Sequence, residues 1–147
     1  MTTPCEAFLK NLTGNWKGDG SVFGFSLNDK VIKYDVEMNA APPMGGKTVQ
    51  KFVESRLESR HAEKKVGMHF ESGFWKCSPT KEDEISWMIS HNSGNVEAVE
   101  GTVSKNGRSA MLESAVVAGA PETQKTQRVI SFDEGGSSMK YLFSMQT

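Results

Sequence analysis

Between Ile32 and Met38 apolar and charged side chains alternate without a break: Ile32, Tyr34, Val36 and Met38 have one parity, and Lys33, Asp35 and Glu37 the other. Successive side chains of a strand point to opposite faces, so this run reads as a half-buried β-strand. Residues 66–76, 85–91, 95–103, 110–117, 127–132 and 139–145 read the same way, and 15–25 and 48–57 are counted with them. That makes nine or ten strands. The connections Asn92-Ser93-Gly94, Asn106-Gly107 and 133–137 are rich in residues that tolerate positive φ, as tight hairpins require, so neighbouring strands are expected to be antiparallel. A meander of this kind either closes into a barrel or folds as a sandwich, and closure would remove its exposed edges. Helical spacing occurs at residues 6–12, where Phe8, Leu9 and Leu12 share a face. A short amphipathic helix is expected there.

The chain has 147 residues, enough for a single core or a single enclosed pocket, and residues 1–147 are read as one domain. Its 17 Lys and Arg against 18 Asp and Glu leave no cationic excess to drive phosphate binding, so nucleic acid is not expected as a partner. No run approaches the ~18 apolar residues of a membrane-spanning helix, and the first residues lack a signal-peptide pattern. A cytoplasmic location is the expectation. Cys5 and Cys77 are too few for a disulfide framework and too isolated for a zinc site, so both are read as free thiols.

Enzyme signatures are weak. Residues 41–48 end in Gly-Lys-Thr like a phosphate-binding loop, but Ala41 stands where a Gly belongs and Pro42 and Pro43 remove backbone donors. There is no Gly-x-Ser-x-Gly elbow and no His-x-x-x-His pair. Of the three histidines, His61 lies in a charged, solvated stretch and His91 reads as a hydrogen-bonding strand cap. His69 follows Met68 on an aromatic-rich strand, and its functional reading is a polar contact or metal ligand at a pocket. Strand parity turns Met68 and His69 to opposite faces, so both can face a pocket only where a bulge or strand end intervenes. Eight methionines supply adaptable apolar surface, and on the last strand Met139, Tyr141, Phe143 and Met145 share one face. In a small barrel that face lines an interior that is packed solid or holds one small hydrophobic ligand.

Taken together, these segments resemble the nitrobindin family. The matching blocks are Gly14-Asn-Trp16-Lys-Gly18-Asp-Gly20, the stretch 68–75, Ser93-Gly94-Asn-Val96-Glu97 with Gly101-Thr102, and the stretch 141–147. The resemblance implies a closed antiparallel ten-stranded β-barrel related in shape to fatty-acid-binding proteins. It also implies a pocket for ferric haem, with activity toward nitric oxide and isomerisation of peroxynitrite to nitrate. Met68 and Met145 match methionines that line the family's haem pocket, and His69 matches a position where histidine is common. With Phe143, these are the expected cofactor-binding residues. The family's iron-ligating histidine lies beyond the methionine that Met145 matches, and no residue of this sequence corresponds to it. The expectation is therefore a binding protein for a hydrophobic or planar ligand, with haem as first candidate and a fatty-acid or lipid carrier as the alternative.

Overall fold

Thr3 caps the first turn of the chain's helix, its hydroxyl accepting the Glu6 N–H at 3.2 Å, and Pro4 occupies the position where a missing N–H costs nothing. The computed structural model describes residues 2–23, 30–42, 51–120 and 123–146. Among them the helix α1 (Pro4–Leu12) is followed by nine strands: β1 (Gly14–Phe23), β2 (Val31–Ala41), β3 (Phe52–His61), β4 (Gly67–Cys77), β5 (Glu84–His91), β6 (Val96–Val103), β7 (Ser109–Ala118), β8 (Lys125–Phe132) and β9 (Met139–Gln146). Each pairs antiparallel with the next in one sheet whose spatial order is its sequence order. The alternation at Ile32–Met38 falls inside β2, as expected.

The sheet is strongly coiled, so that Trp16 of β1 meets Phe132 of β8 with ring centroids 5.6 Å apart. Gly73 and Gly101 sit where the coiling is tightest to neighbours: a Cβ on either would come within 1.8 Å of a carbonyl oxygen of the adjacent strand. The result is a curled, half-barrel sheet. The expected ten-stranded closure is not what the described residues form, because no ladder joins β1 to β9 among them. The Gly-Lys-Thr stretch at 43–50 lies outside the described residues.

One end of the interior is filled. Cys5, Phe8, Leu9 and Leu12 of α1 are fully buried against Trp75, Ile130, Phe132 and their neighbours, so the predicted apolar helix face is the one that plugs the barrel. Asn11 Nδ2 donates to Gly107 O at 3.1 Å and Trp16 Nε1 to Leu12 O at 2.8 Å, holding the helix in place. The reading of two free thiols is corrected here: Cys5 and Cys77 form a disulfide, their Cα atoms 5.8 Å apart. The helix packs back across the end of β4, which brings together cysteines 72 positions apart in the chain.

Candidate functional site

Away from the helix the inner face changes character. Strand parity sends His69 and Glu71 of β4 inward on one face, and Glu71 lies directly across from His91, the last residue of β5. Between β3 and β4 the register passes from Ser59↔His69 to Arg60↔Gly67, skipping Met68. This is the bulge that the pocket reading of Met68 beside His69 required.

His91 Nδ1 stands 3.1 Å from His69 Nε2, and Glu71 Oε2 lies 3.2 Å from His69 Nε2 and 3.6 Å from His91 Nδ1. On its other side His91 Nε2 is 3.4 Å from Glu97 Oε2 of β6. Glu97 is in turn bound by Arg128 Nη1 and, at 3.3 Å, by Thr126 Oγ1, both from β8. Arg128 Nε donates to Tyr141 OH at 2.8 Å, and the Tyr141 hydroxyl donates to Glu71 Oε1 at 3.4 Å, closing a ring of polar contacts across the interior. Buried polar groups are tolerated when paired in this way, and the guanidinium is also packed between the Trp87 and Phe143 rings, at 5.2 and 4.6 Å from their centroids. Trp87 stacks on Trp75 at 4.0 Å, joining the polar layer to the packed core beneath.

The electrostatics follow from these contacts. Burial works to raise the Glu97 carboxyl, but its contact with His91 and the charge and hydrogen bonds of Arg128 outweigh that and hold it below the ordinary carboxylate value. For Arg128, burial acts to lower the guanidinium, and the Tyr141, Glu97 and Glu71 oxygens around it overcompensate, so it stays charged. Burial first, and then the Glu71 charge, push the Tyr141 phenol up, and it remains a neutral donor.

The four residues expected at the pocket are distributed as follows. His69 belongs to the polar ring, with its side chain 40% exposed at the rim. Phe143 covers Arg128 and is itself 50% exposed. Met145, two residues further along the same face of β9, is 54% exposed, and its sulfur accepts from Thr123 Oγ1 at 3.5 Å. Met68 lies in the bulge beside His69, half-buried. β9 is an edge strand of the described sheet, and the exposure of Phe143 and Met145 on its inner face leaves the interior open to solvent there, as a mouth. His91, read as a strand cap, is a buried member of the ring, and His61 is half-buried, its Nδ1 accepting from the backbone N–H groups of Glu63 and Lys64. Glu71, Glu97, Thr126 and Arg128 were not expected at the site. Their signal was available, since Thr126, Arg128, Ile130 and Phe132 share one parity and Glu71 shares that of His69 and Trp75.

No curated protein matches the chain significantly in sequence. Among solved structures, that of Rv2717c from M. tuberculosis superposes with a TM-score of 0.78 at 21% identity, covering 100% of this chain and 89% of that one, a likeness of fold. The profile of the THAP4-like, heme-binding beta-barrel domain matches residues 7–147, nearly the whole chain. The coiled meander, the plugged lower end and the Met68-His69 bulge at the mouth thus sit in a member of the THAP4-like haem-binding β-barrel, or nitrobindin, family.

Proposed function

We propose that the chain is a single-domain binding protein for a planar, largely apolar ligand seated at the mouth, with haem as first candidate. The observation that carries this is the pair Phe143 and Met145, half-exposed on the inward face of β9 directly beside a buried polar layer. Such a surface gains on covering, at about 25 cal/mol per Å² of apolar area. The residues present fit a porphyrin in this respect: Phe143, Met145 and Met68 would hold the macrocycle by apolar contact, and His69 is the imidazole exposed at that rim. Haem, when bound, supplies iron-centred redox and small-ligand chemistry. The chain's own residues bind and orient: Arg128 and Tyr141 fix the floor, and the Trp75–Trp87 stack beneath excludes water.

The alternative, a fatty-acid or lipid carrier, is less well supported. Glu97 neutralises Arg128, and Glu71 adds a second carboxylate, so the buried layer holds no free cation for a fatty-acid headgroup among the described residues. Titrating ferric haem into the full chain and recording the Soret band tests the proposal: a shifted, saturable band at one haem per chain is expected, and a free-haem spectrum throughout would remove haem as the ligand. Delipidated protein titrated with oleate tests the alternative.

We extend the proposal to the family's peroxynitrite chemistry, which predicts faster peroxynitrite decay with haem-loaded protein than with equal free haem. Closure of the sheet into the ten-stranded barrel that the resemblance implies is likewise proposed, supported by the approach of Trp16 to Phe132. It predicts slow amide exchange along the outer edge of β1. Cytoplasmic location is kept as a proposal, tested by the redox state of Cys5 and Cys77 in cells.

A further inference from the structure

His69 Nε2, Glu71 Oε2 and His91 Nδ1 form a triangle with sides of 3.1, 3.2 and 3.6 Å. A tetrahedral zinc ion with nitrogen and oxygen ligands at ~2.0–2.2 Å places its donors about 3.4 Å apart, so these three atoms already match one face of such a tetrahedron. A point about 2 Å from all three exists just off their plane.

The surroundings are those a bound ion uses. His91 Nε2 is buried, has no hydrogen-bond partner among the described residues, and faces Glu97 Oε2 at 3.4 Å. With a metal on Nδ1 the ring proton is forced to Nε2, where it points at that carboxylate, the arrangement that orients metal-bound histidines. Glu97 is fixed by Arg128 and Thr126, and the non-ligating oxygen of Glu71 is held by the Tyr141 hydroxyl. Three of the four parts of a ligand sphere and the hydrogen bonds behind them are therefore in place.

We propose that this triad is a binding site for one divalent first-row transition metal ion of the zinc type, with the fourth position open toward the rim where His69 is exposed. Two imidazoles and one carboxylate disfavour calcium and magnesium, which take oxygen ligands alone, and both thiols that would select copper(I) are in the disulfide. The site shares His69 with the haem reading but does not rest on it, since it concerns the ion alone and is assayed on haem-free protein.

Full-length protein stripped with chelator is titrated with Co²⁺, followed by Zn²⁺. One Co²⁺ per chain with the intense visible absorption of a four-coordinate ion, displaced by Zn²⁺, is expected. His69→Ala, whose side chain is partly exposed and whose loss leaves the core intact, and the near-isosteric Glu71→Gln abolish the band. Glu97→Gln weakens Zn²⁺ binding about 10–100-fold while leaving the band shape unchanged. His61→Ala has no effect. Circular dichroism of each variant separates loss of a ligand from loss of fold. Absence of uptake by the parent protein, a weak octahedral spectrum, or uptake that survives His69→Ala in folded protein would each overturn the assignment. A failed haem titration alongside a positive cobalt titration would leave it standing.

Discussion

The His91 and His69 rings face each other through Nδ1 and Nε2 at 3.1 Å, although 22 positions separate them. In a metal-free chain one of these nitrogens donates and the other accepts, so the two tautomers are set jointly, and Glu71 beside both is the acceptor that biases the choice. His91 touches both buried carboxylates, whereas His69 stands at the rim. His91→Ala therefore takes one partner from each of Glu71 and Glu97 and leaves a cavity between them, and is expected to cost about 3 kcal/mol, against about 1 kcal/mol or less for His69→Ala. Urea unfolding of the two variants measures this, and equal losses would show that the layer is not organised around His91.

Acid should find the same layer. The folded-state value of Glu97 lies below the ordinary 4.5, so its ionised form binds the fold more tightly than its protonated form. The stability it contributes is fully present above pH 4.5 and is lost as pH falls through the lowered folded value. Stability measured against pH should fall more shallowly in that window for Glu97→Gln than for the parent, and identical slopes would count against the coupling to His91 and Arg128.

The Cys5–Cys77 bond ties α1 to β4 across a 72-residue separation. A loop of that length restricts the unfolded chain by about 4 kcal/mol in the chain-entropy picture. Reduction, or Cys5→Ala with Cys77→Ala, should lower the Tm substantially while preserving the strand signature in circular dichroism, since no strand pairing depends on the helix. An unchanged Tm would mean that the bond is not formed in solution.

Phe143 and Met145 are half-exposed, so their replacement should affect binding more than folding. Phe143→Ser or Met145→Lys is expected to leave urea stability within about 1 kcal/mol of the parent and to weaken haem binding about tenfold each. Outward-facing Leu142, immediately before Phe143 on the same strand, provides the control: Leu142→Ser should do neither.

Much of this architecture is written in the sequence at short range. The two-residue period of β2 and the Phe8, Leu9, Leu12 face of α1 are local properties, and both appear where the pattern puts them. The polar ring is different. His69 and Glu71 share a parity that any strand reading exposes, but what they meet depends on the Glu71↔His91 register and on a sheet coiled enough to swing Tyr141 across from β9. Arg128 carried a usable sign, a cation on the parity that also holds Ile130 and Phe132. The disulfide carried none, because only the docking of α1 across the sheet end makes Cys5 and Cys77 neighbours.

Every ladder in this sheet joins consecutive strands, so hairpins form from nearby chain and the early steps of folding need little loop closure. The contact from Tyr141 to Glu71 spans 70 positions and depends on both halves of the meander. During synthesis the mouth therefore stays unassembled until β9 has emerged and packed. A ligand or ion cannot guide the first hairpins; it can only lock the finished product, adding stability in proportion to the logarithm of its concentration over Kd. Occupancy in the cell would then report on completed folding as much as on ligand supply.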